Sequence, residues 1–364
     1  MKRFISLAAA FAAALCMPMT SAAEAGLPKG WLLWHSYNNY ADLDSELYLR
    51  TPDGAVKTIS GDFIHAMNGS FGRSPERFTF MAIDRAADEW DIYLSDHGEI
   101  VNLTRNSGFR NEDPKFSPDG KTIVFKRGHR DDSADGFVYN LALLDVKTRE
   151  VTMLTDDSAE EAMPCFSADG KFIYCASYTD GIGSVCRLDL STKISEFIFS
   201  ESGVNAYYPI VSGDKLYFTK WCSADNRCDR IMCYDGERIT SLPFDSDKYD
   251  CSDACPVGGE KMMFSSTMNG SYDLYCYDGS RVSPLTELNS DKNELGADFF
   301  AFDSVFGDVN EDGEFTVADL AMFQKWLLSA PDANLENWCN ADLCKDGRLD
   351  VFDLCMMRRE LVEG

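Results

Sequence analysis

One segment of this chain is written twice. Asp113-Pro114-Lys115-Phe116-Ser117-Pro118-Asp119-Gly120-Lys121-Thr122-Ile123-Val124-Phe125 returns fifty residues later as Met163-Pro164-Cys165-Phe166-Ser167-Ala168-Asp169-Gly170-Lys171-Phe172-Ile173-Tyr174. Weaker copies stand at Gly69–Phe80, Tyr208–Lys215 and Cys255–Lys261. Each is followed by a second hairpin ending in a turn such as Asp96-His97-Gly98, Asp145-Val146-Lys147 or Tyr277-Asp278-Gly279. Between Gly30 and Asp303 the text alternates apolar and polar residues at the spacing of strands, with almost no helical periodicity. A repeat of about 41–50 residues holding four short strands constrains the fold strongly, because one such unit cannot bury its own faces and must stack against copies of itself. Six units are counted, which predicts a six-bladed all-β propeller.

The FSPDGK-type hairpin at Phe116–Lys121 resembles the TolB-like (PD40, WD40-like) propeller family, over about 270 residues. That resemblance implies architecture and says little about chemistry. Asn293-Glu294-Leu295-Gly296-Ala297-Asp298-Phe299-Phe300 reads as the first strand of a blade, while Trp31–Ser60 supplies only later strands. The two chain ends are therefore expected to complete one blade together, which leaves no open sheet edge. The propeller is placed at residues 24–304.

The tail, residues 307–364, carries a different repeat. Asp308-Val309-Asn310-Glu311-Asp312-Gly313 leads to Asp319-Leu320, and Asp342-Leu343-Cys344-Lys345-Asp346-Gly347 leads to Asp353-Leu354, 34 residues further on. Calcium loops need oxygens at positions 1, 3 and 5, glycine at 6, a carbonyl at 7 and a carboxylate at 12. The first loop offers Asp308, Asn310, Asp312, the Glu314 carbonyl, Thr316 and Asp319. The second offers Asp342, Cys344, Asp346, the Arg348 carbonyl, Asp350 and Asp353, with a thiol at position 3 where a hard cation wants oxygen. Weaker calcium binding is expected there. Each loop runs into an apolar-periodic helix, so a small all-α module with two F-hand-type calcium loops is predicted. The tail resembles a dockerin, the module that plugs secreted proteins into cohesin domains of cellulosome-type scaffolds. The resemblance implies Ca2+ as the bound ion, a cohesin as partner, and partner contacts at Val317, Ala318, Val351 and Phe352. These are apolar, where the clostridial type I pattern has Ser or Thr.

Lys2 and Arg3 precede an apolar stretch from Phe4 to about Met19, then small residues; residues 1–23 read as a signal peptide. No later apolar run is long enough to span a bilayer. A secreted, extracellular protein is expected. A net charge of −26 repels nucleic acid and anionic membrane. Of the cysteines, Cys222, Cys228, Cys251 and Cys255 are read as falling in loops of one propeller face on neighbouring blades, where Cys222–Cys228 or Cys251–Cys255 bridges, or bridges across the blades, would staple the loops. Cys165, Cys175, Cys186, Cys233 and Cys276 read as small core residues.

The loops joining strands two and three, and strand four to the next blade, make the face where propeller ligands usually sit. Here they carry His35, His65, Trp90, Arg110, His129, Arg130, Tyr178, Tyr208 and Trp221. Aromatic planes among arginines and carboxylates suit a sugar ring, so a face binding a plant cell-wall glycan or a peptide is one reading. The plainer reading, aromatics that cap blade packing, stands beside it. A third follows from resemblance to oligogalacturonate lyases on TolB-like propellers, with His35, His65 and His129 as metal ligands and Arg110 and Arg130 facing uronate. The acidity of the chain argues against a polyanionic substrate. No GxSxG, HExxH, Walker or CxxC motif is present.

Overall fold

The computed structural model describes residues 29–363 except 60–62, 86–88, 132–135, 157–158, 222–227, 302–306, 311–314, 332, 334, 336–339 and 345–347. The expected signal peptide, Cys222, Asp312, Glu314 and Asp346 lie outside the described residues.

Six four-stranded antiparallel sheets form the propeller. The innermost strands are Asn293–Ala301, Phe63–Phe71, Arg110–Phe116, Glu160–Phe166, Asn205–Ser212 and Cys251–Pro256, in blades one to six. Each packs against the inner strands of its two neighbours. Blade one is closed as predicted: Asn293–Ala301 pairs with Gly30–Tyr37, with Trp31 opposite Phe300 and Leu33 opposite Asp298. The first and last strands of the ring thus lock one another, and every blade is a complete four-stranded sheet.

The repeated turn has a local cause. Ser117 Oγ donates to Asp119 Oδ1 at 2.7 Å, Lys121 N–H donates to the same oxygen at 3.1 Å, and Thr122 N–H donates to Ser117 Oγ at 3.0 Å. Ser167, Asp169, Lys171 and Phe172 reproduce the pattern at 2.7, 3.1 and 3.0 Å. Gly120 and Gly170 close the two turns at φ +68° and +69°, a region a side chain enters only at cost. Between blades, apolar side chains interdigitate: Ile92 and Leu94 from blade two meet Ile123 and Phe125 from blade three.

Every inner strand also holds one extra residue relative to its partner at an equivalent point, and Phe63–Phe71 holds a second between Phe63 and His65. The residue at the equivalent bulge is Asn68, Asp113, Met163, Tyr208, Asp253 or Gly296, and all six are left-handed, with φ between 51° and 61°. Pro114, Pro164 and Pro209 come next in three blades, where an unpaired position tolerates the missing N–H. This corrects the sequence alignment of blade six. Its bulge lies at Asp253-Ala254, two residues before Cys255-Pro256.

The tail holds two helices, α1 (Val317–Leu327) and α2 (Val351–Glu363), which pack on each other. Val309, Phe323, Ala341, Leu343 and Met357 form its buried core.

Candidate functional site

In the tail, the position-12 carboxylate organises each loop. Asp319 Oδ1 accepts from the N–H of Val309 (3.0 Å) and Asn310 (3.2 Å), and Oδ2 accepts from Thr316 N–H (2.9 Å). Asp353 repeats this, accepting from Cys344 N–H (3.1 Å) and Asp350 N–H (3.0 Å). Both carboxylates are fully buried. Position 9 caps the helix that follows: Thr316 Oγ1 accepts from Ala318 N–H at 3.1 Å, and Asp350 Oδ1 from Phe352 N–H at 2.7 Å. An acidic residue in the first turn suits the positive end of each helix. The two loops are tied together, Gly307 N–H donating to the Asn340 carbonyl at 2.8 Å and Asn340 Nδ2 to the Asp308 carbonyl at 2.7 Å.

For Ca2+, the first loop fits. Asp308, Asn310, Thr316 and Asp319 are oxygen donors gathered by one buried carboxylate, the hard set that this ion takes. The second loop does not fit as well. Cys344 Sγ stands at its third position, 3.7 Å from Asp342 Oδ1. Val317, Ala318, Val351 and Phe352 are all exposed, with Val317 and Phe352 each at 70%. Apolar side chains of that size left in water at two equivalent helix starts make a surface suited to a partner.

Residues 306–362 match the family described as Dockerin type I domain. The tail holds a dockerin type I domain. Dockerin domains typically bind calcium, and the domain implies a cohesin partner. For the ring, TolB from Acinetobacter baumannii is similar in fold at TM-score 0.57 and 18% identity, over 74% of this chain and 66% of that one. Hydrazine synthase from Kuenenia stuttgartiensis aligns at TM-score 0.63 and 13% identity, over 75% of this chain and 46% of the other. The chain thus spans under two thirds of either structure, and at such identities the likeness is one of fold. No curated protein matches the sequence.

On the propeller axis, the bulged residues converge. Asn68 Nδ2 donates to Asp113 Oδ1 at 2.8 Å, Met163 N–H to Asp113 Oδ2 at 3.3 Å, and Gly296 N–H to Asp253 Oδ2 at 3.0 Å. Asp298 accepts from Phe71 N–H at 2.7 Å. Burial raises the carboxyls of Asp113 and Asp298 and pushes Asp253 up to about 6, with the charge of Lys115 opposing the rise in all but Asp113, where Lys126 does so. Sequence reasoning missed this axial ring. Its members share a backbone conformation rather than a residue type.

The residues expected on the ligand face divide. Trp90 is 2% exposed and packs its ring 4.5 Å from that of His65, so it cannot stack on a sugar. His65 is itself buried, with Nδ1 accepting from Ser45 N–H at 3.0 Å. Burial holds it down at about 4 and His35 at about 3. His35 lies against Gly296, where no Cβ would fit. Tyr208 belongs to the axis, not to a face loop. The corrections at Trp90, His65 and His35 share one cause: they sit near strand ends, where packing between strands claims the ring before solvent does, whereas Tyr208 sits mid-strand at the bulge. His129 and Arg130 are exposed, Tyr178 and Trp221 half-buried. Among the described residues, no group of three metal-ligating side chains joins His35, His65 and His129.

What does gather on this face is a cationic and aromatic patch on blade three. Arg130 pairs with Glu89 at 3.1 Å and lies 5.3 Å from the Phe137 ring centre, and Arg110 lies 5.7 Å from the same ring. Arg110 also pairs with Glu112 at 2.5 Å. Lys126 sits 3.8 Å above Tyr139 and bonds Glu160 at 2.8 Å. The proposed cysteine staples are absent. Cys251 and Cys255 are free and buried on one strand, with Cα atoms about 13 Å apart at strand rise, beyond disulfide reach. Cys228 is also free. Cys165, Cys175, Cys186, Cys233 and Cys276 are buried in the core, as expected. Among the described residues no helix is long and apolar enough to cross a membrane.

Proposed function

We propose that this is a secreted, scaffold-borne protein of an extracellular polysaccharide-degrading complex. Residues 1–23 direct export. Calcium orders the tail, and the tail plugs into a cohesin of the cellulosome scaffold through Val317, Ala318, Val351 and Phe352. The propeller, residues 24–304, then presents a recognition face for a plant cell-wall glycan or a protein. The observation that carries this reading is the paired arrangement of the tail: two acidic loops, 34 residues apart, each start a helix whose first turn leaves apolar side chains in water. The Arg110–Phe137–Arg130 patch supports the second half, because guanidinium and aromatic planes together hold sugar hydroxyls and ring faces.

The test is capture by cohesin beads with and without calcium. Asp308→Ala combined with Asp342→Ala is expected to lose calcium-dependent capture by about 100-fold or more, since removing an oxygen that touches the ion costs more than removing a group behind it, while the ring melts as before. Retained capture would sink the plug. Arg110→Ala with Arg130→Ala, screened on a cell-wall glycan array, tests the face: glycan binding by the native protein that this pair abolishes supports recognition, and no binding to any glycan leaves only the protein-binding form.

A further inference from the structure

The two loops of the dockerin share one backbone plan and differ in one ligand atom. Asp319 and Asp353 gather their loops through equivalent N–H groups, those of Asn310 and Thr316 in one and Cys344 and Asp350 in the other. Position 3 is an amide oxygen in the first and a thiol in the second. We propose that the second loop is a mixed thiolate–carboxylate site for a borderline divalent ion of the Zn2+ class, so that one dockerin carries two different metals. The proposal rests on the dockerin reading of the tail.

Three features converge on it. Asp342, Cys344 and Asp353 bring one ligand atom each within 4.8 Å of the others, and among the described residues they are the one group of three or more His, Cys, Asp or Glu to do so. The Sγ–Oδ1 separation between Cys344 and Asp342 is 3.7 Å. Bond lengths of about 2.3 Å to sulfur and about 2.1 Å to oxygen give a tetrahedral edge of about 3.6 Å, so those two atoms already stand near the separation that Zn2+ imposes. Calcium, in contrast, needs 6–8 oxygens. The loop has lost one to sulfur at Cys344. Softness decides the rest: a thiolate favours Zn2+ over Ca2+ by ligand type, whatever the backbone around it.

The experiment uses the full-length protein, reduced and free of oxygen, titrated with Ca2+, with Zn2+ and with Co2+ as a coloured probe. The expected result is one calcium and one zinc per chain. Cobalt at the second loop gives a near-ultraviolet sulfur-to-metal band that a large excess of Ca2+ does not remove. Cys344→Asp is expected to erase the band, weaken Zn2+ by about 100-fold or more and admit a second calcium. Cys355→Ser, on the neighbouring helix, leaves the band in place. Two calcium ions of similar affinity with no sulfur band would overturn the proposal, as would a band that survives Cys344→Ser. The dockerin reading fails separately: Asp308→Ala that changes neither calcium stoichiometry nor cohesin capture overturns both. A normal first site and normal capture without the band overturn the mixed site alone.

Discussion

In the propeller the repeated feature is backbone: residues as unlike as Met163, Tyr208 and Gly296 all turn left-handed at the same bulge. In the tail the repeated feature is chemistry, since Asp308, Asp312, Gly313 and Asp319 match Asp342, Asp346, Gly347 and Asp353 while the residues among them drift. The difference follows from what holds each region together. The ring buries large apolar faces such as Phe80, Phe125, Phe218 and Phe264 between blades, so packing fixes its shape and individual inner-strand residues are free to vary. Among the described residues the tail's buried core is Val309, Phe323, Ala341, Leu343 and Met357, with partly buried side chains such as Phe315 and Leu320 packed on it, and its helices α1 and α2 have 11 and 13 residues. Helices that short are marginal alone in water. Dockerin domains typically bind calcium, and a calcium loop needs particular oxygens at particular positions.

Removing metal tests this contrast most severely. With excess chelator, the tail is expected to lose its helical circular dichroism and its own calorimetric transition, while the ring melts at an unchanged temperature. A ligand at about 1,000 times its dissociation constant contributes about 4 kcal/mol, enough to decide whether so small a module folds. A ring transition that moves with the tail would break the comparison, because it would make the two regions one cooperative unit.

The same contrast explains which parts of the molecule were legible in the sequence. The six blades could be read because Ser117-Asp119-Gly120 and Ser167-Asp169-Gly170 encode their turn with local side-chain bonds that need those residue types. The dockerin tail could be read for the same reason, from acidic residues at fixed spacing. The axial ring could not, because an extra residue in a strand sets φ by geometry and leaves its own identity free. Trp90 and His65 were misplaced on the open face for a related reason. Alternation along a strand tells which side a ring points to, but not whether the adjacent blade covers it. The Cys251–Cys255 staple failed on distance, since a strand carries its residues apart and a loop would have let them meet.

The axis gives a smaller effect of the opposite kind. Asp253, 8% exposed, is pushed up to about 6 by burial from an ordinary 3.8, with Asp229 adding to the rise and Lys115 opposing it. A carboxyl whose folded value lies above its unfolded one binds its proton first in the native state. Its contribution therefore favours folding as pH falls from about 6 to about 4, and opposes folding above that window. Asp253→Asn keeps an oxygen for the Gly296 N–H. It is expected to make the ring more stable near neutral pH by up to about 3 kcal/mol and to flatten the stability gain between pH 6 and 4 seen in the native protein. Denaturant melts at both ends of that window read the difference. Equal slopes in the two proteins would mean that the axial carboxylates reach water, and that the bulge ring is not sealed by packing.

The turns give the smallest effect and separate backbone from contact within the ring itself. Gly120 and Gly170 hold nearly the same left-handed φ, so an alanine at either meets the same backbone cost of about 1–2 kcal/mol. Their surroundings differ. A Cβ on Gly170 would find only Pro118 Cδ at 3.7 Å, ordinary contact, whereas one on Gly120 would stand 3.2 Å from Arg73 Cγ. Gly120→Ala is therefore expected to lower the denaturant midpoint slightly more than Gly170→Ala, the excess being what it takes to shift the flexible Arg73 stem. An Arg73→Ala background should erase that excess and leave the two glycine substitutions equal. If they still differ there, the repeated turn is not a repeated conformation, and the claim that backbone is what the blades share loses its plainest case.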